Sequence, residues 1–373
     1  MTLLQNHDSS VRYQSAVFLA GNTLFKFQAS LLAPDPNVND YEFKHMVKHA
    51  LGDSEGDASN TGTDDAHPIV LPADVTEDQF RDLLMVAFGG VVDRSSVDFF
   101  RSLKTPSSYS PTLVSRLTNI GYLGCRFGMK RLDVWSQIQI HAVLQHLVVT
   151  RQSADDWGAP VILRLVQYLQ NTSLAFSRCK LLDLTRHIIS TLVERAYELN
   201  NEIPQGTIID VCAALYKEKD LLINTPEFFG FIFAVIVSLG HQSPIWTNCL
   251  TREDRRVLYA ANTTLTRLAS HADLDVGWVM DPTALKKVCP QCPSGFDASW
   301  NKAFSQCDGL KSRVPLEDLR HVVTLPVYRM RFWLANRVAP CKCAVTVMNN
   351  IEPRMDTLYS GLTEKYKFLV ETV

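Results

Sequence analysis

Two pairs of cysteines toward the end of the chain are the residues whose type and spacing are best suited to chemistry. Cys289 and Cys292 are separated by two residues, and Cys341 and Cys343 by one. Four thiolates can hold zinc tetrahedrally, and a site closed by four protein ligands is structural because no coordination position stays open. The alternative is that these are reduced thiols buried as small hydrophobes, and the long separation of the two pairs favours it because no short zinc finger has that spacing.

Motifs for catalysis are missing from the rest of the sequence. His45 and His49 lie four residues apart, a spacing that can hold zinc, but no third ligand is evident and a surface pair is the simpler interpretation. The sequence contains no Walker-type phosphate loop, no dinucleotide-binding glycine fingerprint and no nucleophile elbow. We therefore expect a non-enzymatic protein with no catalytic and no cofactor-binding residues.

The segment from Tyr328 to Arg337 interleaves cations with aromatic residues, as a strip that binds nucleic acid does. An amphipathic helix is the alternative, with Phe332 inward and Arg329 and Arg337 in solvent. Because the segment has few cations, it would contact few phosphates and release few counterions, which gives weak binding. We therefore do not expect nucleic acid as a partner. A zinc-stabilised, nucleic-acid-associated transcriptional or developmental regulator stays open as the second functional hypothesis.

Length and composition indicate an ordinary globular chain. The 373 residues are enough for two or three packed units, and hydrophobic residues make up 46% and charged residues 20% of them. The net charge of −2 provides no field that would attract nucleic acid or an anionic membrane. The first residues lack the pattern of a secretory signal, and the longest apolar run is too short to span a membrane. We expect an intracellular protein of the cytoplasm, the nucleus or both, without membrane attachment.

Local patterns predict the elements that come first in the chain. Apolar runs on both sides of Gly21-Asn22 predict a β-hairpin, and residues 28–33 a short helix after it. A short strand is expected between His67 and Pro72. Thr76 and Gln79 form the signature of a capping box that begins a helix ending before Gly89-Gly90.

A series of helices is expected from Leu113 to Ser270. Ser110-Pro111 can cap and begin the first of them, because a proline at that position loses no hydrogen bond. In the next helix the apolar spacing predicts four inward residues, Leu132, Trp135, Ile138 and Ala142. The last hundred residues differ in composition, with five of the nine cysteines, and a boundary is expected near Ala272-Asp273.

These elements follow the order of the BTB/POZ domain: hairpin, short helix, short strand, capped helix and helical extension. The segment 25–33, FKFQASLLA, resembles the hairpin-to-helix segment of that family. The segment 65–76, DAHPIVLPADVT, resembles the strand of BTB proteins common in mushroom-forming fungi. In that group an acidic loop precedes the strand, as the acidic residues 53–66 do here. The segment 121–128, GYLGCRFG, is similar to a later helix of the same group.

The resemblance implies an α+β, mostly helical fold with a BTB/POZ-like module of sheet and helices over residues 11–150. We expect an all-α extension over 151–271 and a small cysteine-containing unit over 272–373. The resemblance further implies a scaffold or adaptor that binds other proteins, with a role in fungal regulation or development. It also implies a homodimer formed through the N-terminal module.

Overall fold

The computed structural model describes residues 15–52, 62–89, 93–150, 157–172, 175–198, 208–265, 268, 271, 274, 277–280, 283–287, 293–304, 319–338 and 344–372. The chain is mostly helical, with one small three-stranded sheet near the N-terminus, so the mostly helical α+β class is confirmed.

The chain divides into two compact units, which are described separately. The first unit is Met1–Val143 with Asn171–Ser177, and the second unit is Leu144–Gln170 with Arg178–Val373. The second unit therefore takes in most of residues 151–271 together with 272–373, which the sequence analysis treats as separate domains.

The first unit holds the sheet and the first helices. Its strands are β1 (Ser15–Ala20), β2 (Thr23–Gln28) and β3 (Ile69–Val70). Its helices are α1 (Lys44–Leu51), α2 (Glu77–Phe88), α3 (Arg94–Lys104), α4 (Pro111–Arg126) and the first part of α5 (Lys130–Thr150). Two short 3-10 helices cover Ala29–Leu32 and Pro106–Ser108.

The predicted hairpin is confirmed. β1 and β2 pair antiparallel with Ala20 opposite Thr23, so the turn consists of Gly21 and Asn22 alone. Gly21 has a φ of 57°, which a residue with a side chain rarely adopts but glycine adopts readily. β3 is the predicted strand and pairs parallel with β1, giving the order β2-β1-β3. β2 is therefore an edge strand of this sheet.

The predicted starts of α2 and α4 are also confirmed. The amide of Thr76 donates to Oε1 of Gln79 at 2.7 Å, and the amide of Gln79 donates to Oγ1 of Thr76 at 3.3 Å. The capping box thereby satisfies two amides that the first turn of a helix leaves free. At the start of α4, Oγ of Ser110 accepts from the amide of Leu113 at 3.2 Å, and Pro111 is the first helical residue.

An aromatic core joins α2 to the inner face of the sheet. The ring of Phe80 lies 5.1 Å from that of Phe25, 5.8 Å from that of Phe18 and 5.9 Å from that of Phe27. Phe18 and Phe80 are fully buried, whereas Phe25 and Phe27 are partly buried. The sheet is therefore held by rings from alternate positions of β1 and β2, as the period of a strand requires.

Arg126, the last residue of α4, connects two loops of the first unit. Its guanidinium donates to Glu42 at 2.6 Å and also to Asp74, and it lies over the rings of Phe43 and Tyr122 at 4.3 and 5.1 Å. Burial alone would lower the pKa of Arg126, but the hydrogen bonds to the two carboxylates outweigh it and raise the pKa. This cluster fixes segments far apart in the sequence.

The predicted inward face of α5 is wrong in part. Ile138 is 57% exposed and Ala142 is exposed, whereas Leu132 and Trp135 are partly buried. The buried side of this helix carries polar residues as well as Ile140. Gln137 donates to Asp133 at 3.0 Å and also to Thr172, and these hydrogen bonds reduce the penalty for burying its amide group. Apolar spacing alone therefore does not identify the inner face.

The second unit is helical throughout its described part. Its helices after α5 are α6 (Ala159–Asn171), α7 (Ala175–Glu198), α8 (Ile208–Lys217), α9 (Asp220–Asn224), α10 (Pro226–Ser238), α11 (Pro244–Asn248), α12 (Arg252–Thr264), α13 (Gly277–Met280), α14 (Thr283–Lys287), α15 (Pro293–Phe304), α16 (Leu319–Val338) and α17 (Ala344–Thr372). Asn171 at the end of α6 and the first residues of α7 belong to the first unit. Among the described helices, none is long and apolar enough to cross a membrane.

The core of the second unit is built around α10, which is buried from Phe228 to Ser238 and contacts α8, α16 and α17. Pro326 interrupts the hydrogen bonding of α16 because it has no amide proton for the carbonyl of Val322. The hydroxyl of Tyr359 donates to that carbonyl at 2.9 Å, and the hydroxyl of Ser190 donates to the carbonyl of Val323 at 2.6 Å. Neighbouring helices therefore satisfy the polar groups around this proline.

The amphipathic interpretation of the segment 328–337 is correct for Phe332, which is buried, and wrong for Arg329. Arg329 is only 9% exposed, donates to Glu352 at 2.5 Å and lies 3.8 Å from Asp183. A buried guanidinium is retained because carboxylates compensate its charge. The side chain of Arg337 lies outside the described residues.

Candidate protein-binding surface

The predicted metal ligands cannot be located. Cys289, Cys292, Cys341 and Cys343 all lie outside the described residues, so both interpretations of them remain predictions. Within the described ranges, no group of three or more His, Cys, Asp or Glu side chains is placed to hold a metal ion. His45 is exposed on α1 and His49 is partly buried on the same helix.

A groove between β2 and α2 is a candidate site in the first unit. Its volume is about 470 Å³, and it is broadly open to solvent. Five apolar side chains line it, Phe25, Phe27, Leu84, Met85 and Phe88, together with Lys26, Arg81, Asp93 and Ser95. We call this site the β2–α2 groove.

The ring of Phe88 forms one wall of the β2–α2 groove. It meets Phe27 edge to face at 5.3 Å, yet 40% of Phe88 is exposed. Phe88 is the last residue of α2, and its position on the helix follows the apolar period that starts at Phe80. An apolar residue in register with the core of the helix therefore lines the groove.

The edge of β2 borders the same groove and carries backbone groups without a ladder partner among the described strands. Ala20 and Thr23 close the hairpin as a hydrogen-bonded pair, so Phe25 and Phe27 also bond to β1. The amide and carbonyl groups of Leu24 and Lys26 therefore point away from β1. An edge of this kind can accept another strand.

The outer face of the sheet carries an exposed apolar row next to this edge. Leu19 pairs with Leu24 on one side and with Val70 on the other, so the three side chains lie side by side. Val70 is 61% exposed, Leu24 is 44% exposed and Leu19 is partly buried. Exposed apolar side chains thus lie near both faces of β2.

The charges around the groove are mixed, with Lys26 exposed at the strand edge. Arg81 is held by Asp78 at 2.9 Å within α2. Asp93 caps α3 and accepts from the hydroxyl of Ser95 and from the amides of the first turn. The hydrogen bond from Ser95 lowers the pKa of Asp93. Lys26 borders the groove at the strand edge, but its side chain lies on the outer face of the sheet, as that of Leu24 does.

An aromatic cage in the second unit also has the composition of a binding site. The ammonium of Lys219 lies 4.2, 5.2 and 5.7 Å from the ring centres of Tyr216, Tyr366 and Phe229. It donates to the hydroxyl of Tyr366 at 3.0 Å and lies 3.7 Å from Asp254. Since a cation of the chain itself fills the cage, this cluster serves helix packing.

Sequence reasoning identified only part of this surface. It predicted the hairpin strand that carries Phe25 and Phe27 and the helix that ends at Phe88. It did not predict that these three residues line one groove, because the distance between the strand and the end of the helix depends on tertiary packing. Comparisons with protein-family models, with curated proteins and with solved structures gave no match.

Proposed function

We propose that this chain is a non-enzymatic protein–protein interaction protein whose first unit is a BTB-like scaffold or adaptor module. The observation that carries the proposal is the β2–α2 groove beside the edge of β2, which has no partner strand among the described residues. When a partner covers an apolar patch or pairs with a strand edge, the free energy of the complex is lowered. A surface that combines both suits protein recognition.

The element order supports the BTB-like assignment. β1, β2, the short helix at Ala29–Leu32, β3 and the capped α2 follow the order that the resemblance implies for such a module. The proposal includes a homodimer formed through the first unit and a role in fungal regulation or development. Specific interfaces of this kind bury about 1,200–2,000 Å² in total.

Light scattering during size-exclusion chromatography tests the dimer. At tens of micromolar the full chain should elute with twice the mass of one copy. A single monomeric mass over this range would remove the dimer from the proposal and leave the adaptor role.

A matched pair of variants tests the adaptor role. Phe88→Glu places a charge in the groove, and Ile138→Glu places the same charge at a residue of the first unit that is 57% exposed and distant from β2 in sequence. Proteins captured by the wild-type chain and by Ile138→Glu, but not by Phe88→Glu, should then bind the purified wild-type chain directly. Identical capture by all three chains would contradict the proposed function.

A further inference from the structure

We infer that the edge of β2 takes an extended peptide as an additional strand, with apolar side chains in the β2–α2 groove and an acidic side chain beside Lys26. This inference rests on the proposed function and specifies the chemistry of the partner. Three observations support it: the direction of the backbone groups of β2, the volume of the groove and the charge at the strand edge.

The backbone of β2 provides the first part of the recognition. Leu24 and Lys26 each turn one amide and one carbonyl away from β1, as the hydrogen-bonded pair Ala20–Thr23 requires. An added strand that pairs with these residues bonds to both of them. Recognition through main-chain groups gives affinity without depending on the peptide's sequence, and the pockets on either face then select side chains.

The groove selects apolar side chains on one face of the added strand. Residues next to Phe25 and Phe27 point to the same side of the sheet as those rings, toward Leu84 and Phe88. An apolar cavity of about 150 Å³ is enough for a benzene-sized group, so a groove of about 470 Å³ has room for two apolar side chains. These two residues must be separated by one position, because every second side chain of a strand faces the same way.

Lys26 selects the residue between them. This intermediate side chain points to the opposite face, where Lys26 and Leu24 are both exposed. Opposite charges on neighbouring strands attract, and like charges repel. The peptide that fits is therefore apolar–acidic–apolar.

A second copy of β2 fits the edge less well. Antiparallel pairing of two β2 strands matches residues whose backbone groups point outward, which are Leu24 and Lys26 in each copy. Both Lys26 side chains would then lie on the same face of the joined sheet. A lysine at a strand edge is a common means of preventing such pairing.

Fluorescence anisotropy with designed peptides tests the inference on the full-length chain. The first probe is a labelled peptide of about eight residues in which valine alternates with glutamate. The second probe has lysine in place of glutamate, and the third is the glutamate peptide with methylated backbone nitrogens. The wild-type chain should bind the first probe about threefold to tenfold more tightly than the second, and it should not bind the third.

Charge reversal supplies the decisive comparison. Lys26→Glu should invert the preference, so that the lysine peptide binds more tightly than the glutamate peptide. Lys48→Glu, at an exposed lysine of α1, should leave the preference unchanged. Leu24→Pro removes one outward amide without removing a bond to β1, and it should weaken binding of both probes.

Three results with the peptides would overturn the inference: no binding of either unmethylated probe, a preference that Lys26→Glu does not alter, or equal binding of the methylated probe. A wild-type dimer that dissociates in Leu24→Pro would assign the edge to a second copy and overturn it as well. If these results occur while capture of partners still depends on Phe88, the proposed function survives and only the peptide inference fails.

Discussion

Gly230 of α10 lies directly against the backbone carbonyl of Tyr359 in α17. A methyl group on Gly230 would be 1.8 Å from that oxygen and 2.8 Å from Oγ1 of Thr363, far closer than atoms can approach. The close approach of two long helices in the second unit thus depends on one missing side chain.

Gly230→Ala should destabilise the second unit by at least about 2 kcal/mol, since two packed backbones must separate to admit the methyl group. Urea denaturation followed by circular dichroism measures the change. Gly277→Ala is the matched control, because a methyl group there meets no atom of the described residues within 4 Å. Equal stability of the two variants would show that α10 and α17 are not in this contact.

Tyr359→Phe tests how Pro326 is accommodated. Removing the hydroxyl leaves the carbonyl of Val322 without its donor in a buried place, which costs about 1–3 kcal/mol. Tyr259→Phe, at a residue that is 50% exposed, should change the free energy of unfolding by much less. Equal losses in both variants would contradict the assigned role of the Tyr359 hydroxyl.

Arg126→Met should lower the stability of the first unit by about 1–3 kcal/mol, because charge-assisted hydrogen bonds and ring contacts disappear together. Arg131→Met is the control, since that side chain is 86% exposed. Amide hydrogen exchange of β1 reports the stability of this unit. Unchanged protection of β1 in Arg126→Met would contradict the structural role of Arg126.

The pH dependence of stability follows from Asp74. Burial would raise its pKa, but the hydrogen bond from Arg126 outweighs it and lowers the pKa below the ordinary value of 3.8. The stabilising contribution is therefore complete above that value and is lost as pH falls through the lower pKa of the folded state. The stability difference between wild type and Asp74→Asn should shrink below about pH 4. A difference that stays constant down to pH 3 would contradict the lowered pKa.

Local rules predicted local structure well. The hairpin at Gly21-Asn22 and the capping box of Thr76 and Gln79 depend on neighbouring residues, whose conformational preferences act within one turn. Each was visible in the sequence because all the partners of each motif lie within a few positions. The same reasoning located the start of α4 at Pro111.

Contacts between distant residues were beyond such rules. Arg329 was predicted to be solvated, because its carboxylate partners Asp183 and Glu352 are far from it in sequence. The buried face of α5 was mispredicted for a related reason, since Gln137 lies in the interior and donates to Thr172, which is far from it in sequence. The cysteine pairs show a third limit, because spacing alone does not reveal whether four thiols converge.

The candidate surface combines a feature that local rules predict with features that depend on contacts between distant residues. Periodicity placed Phe25 and Phe27 on one side of β2, but the groove also requires Phe88 from the end of α2. Among the described strands β2 lies at the edge of the sheet because β3 pairs with the other side of β1. Alternation could suggest a strand over residues 69–71 but not its neighbour.

Amide hydrogen exchange at β2 is the measurement that tests the central claim most directly. On addition of the alternating valine–glutamate peptide to the full-length chain, the amides of Leu24 and Lys26 should become protected. Those of Phe25 and Phe27, which already bond to β1, should change little. Protection confined to other parts of the chain, with Leu24 and Lys26 unaffected, would contradict the claim that the edge of β2 binds a partner strand.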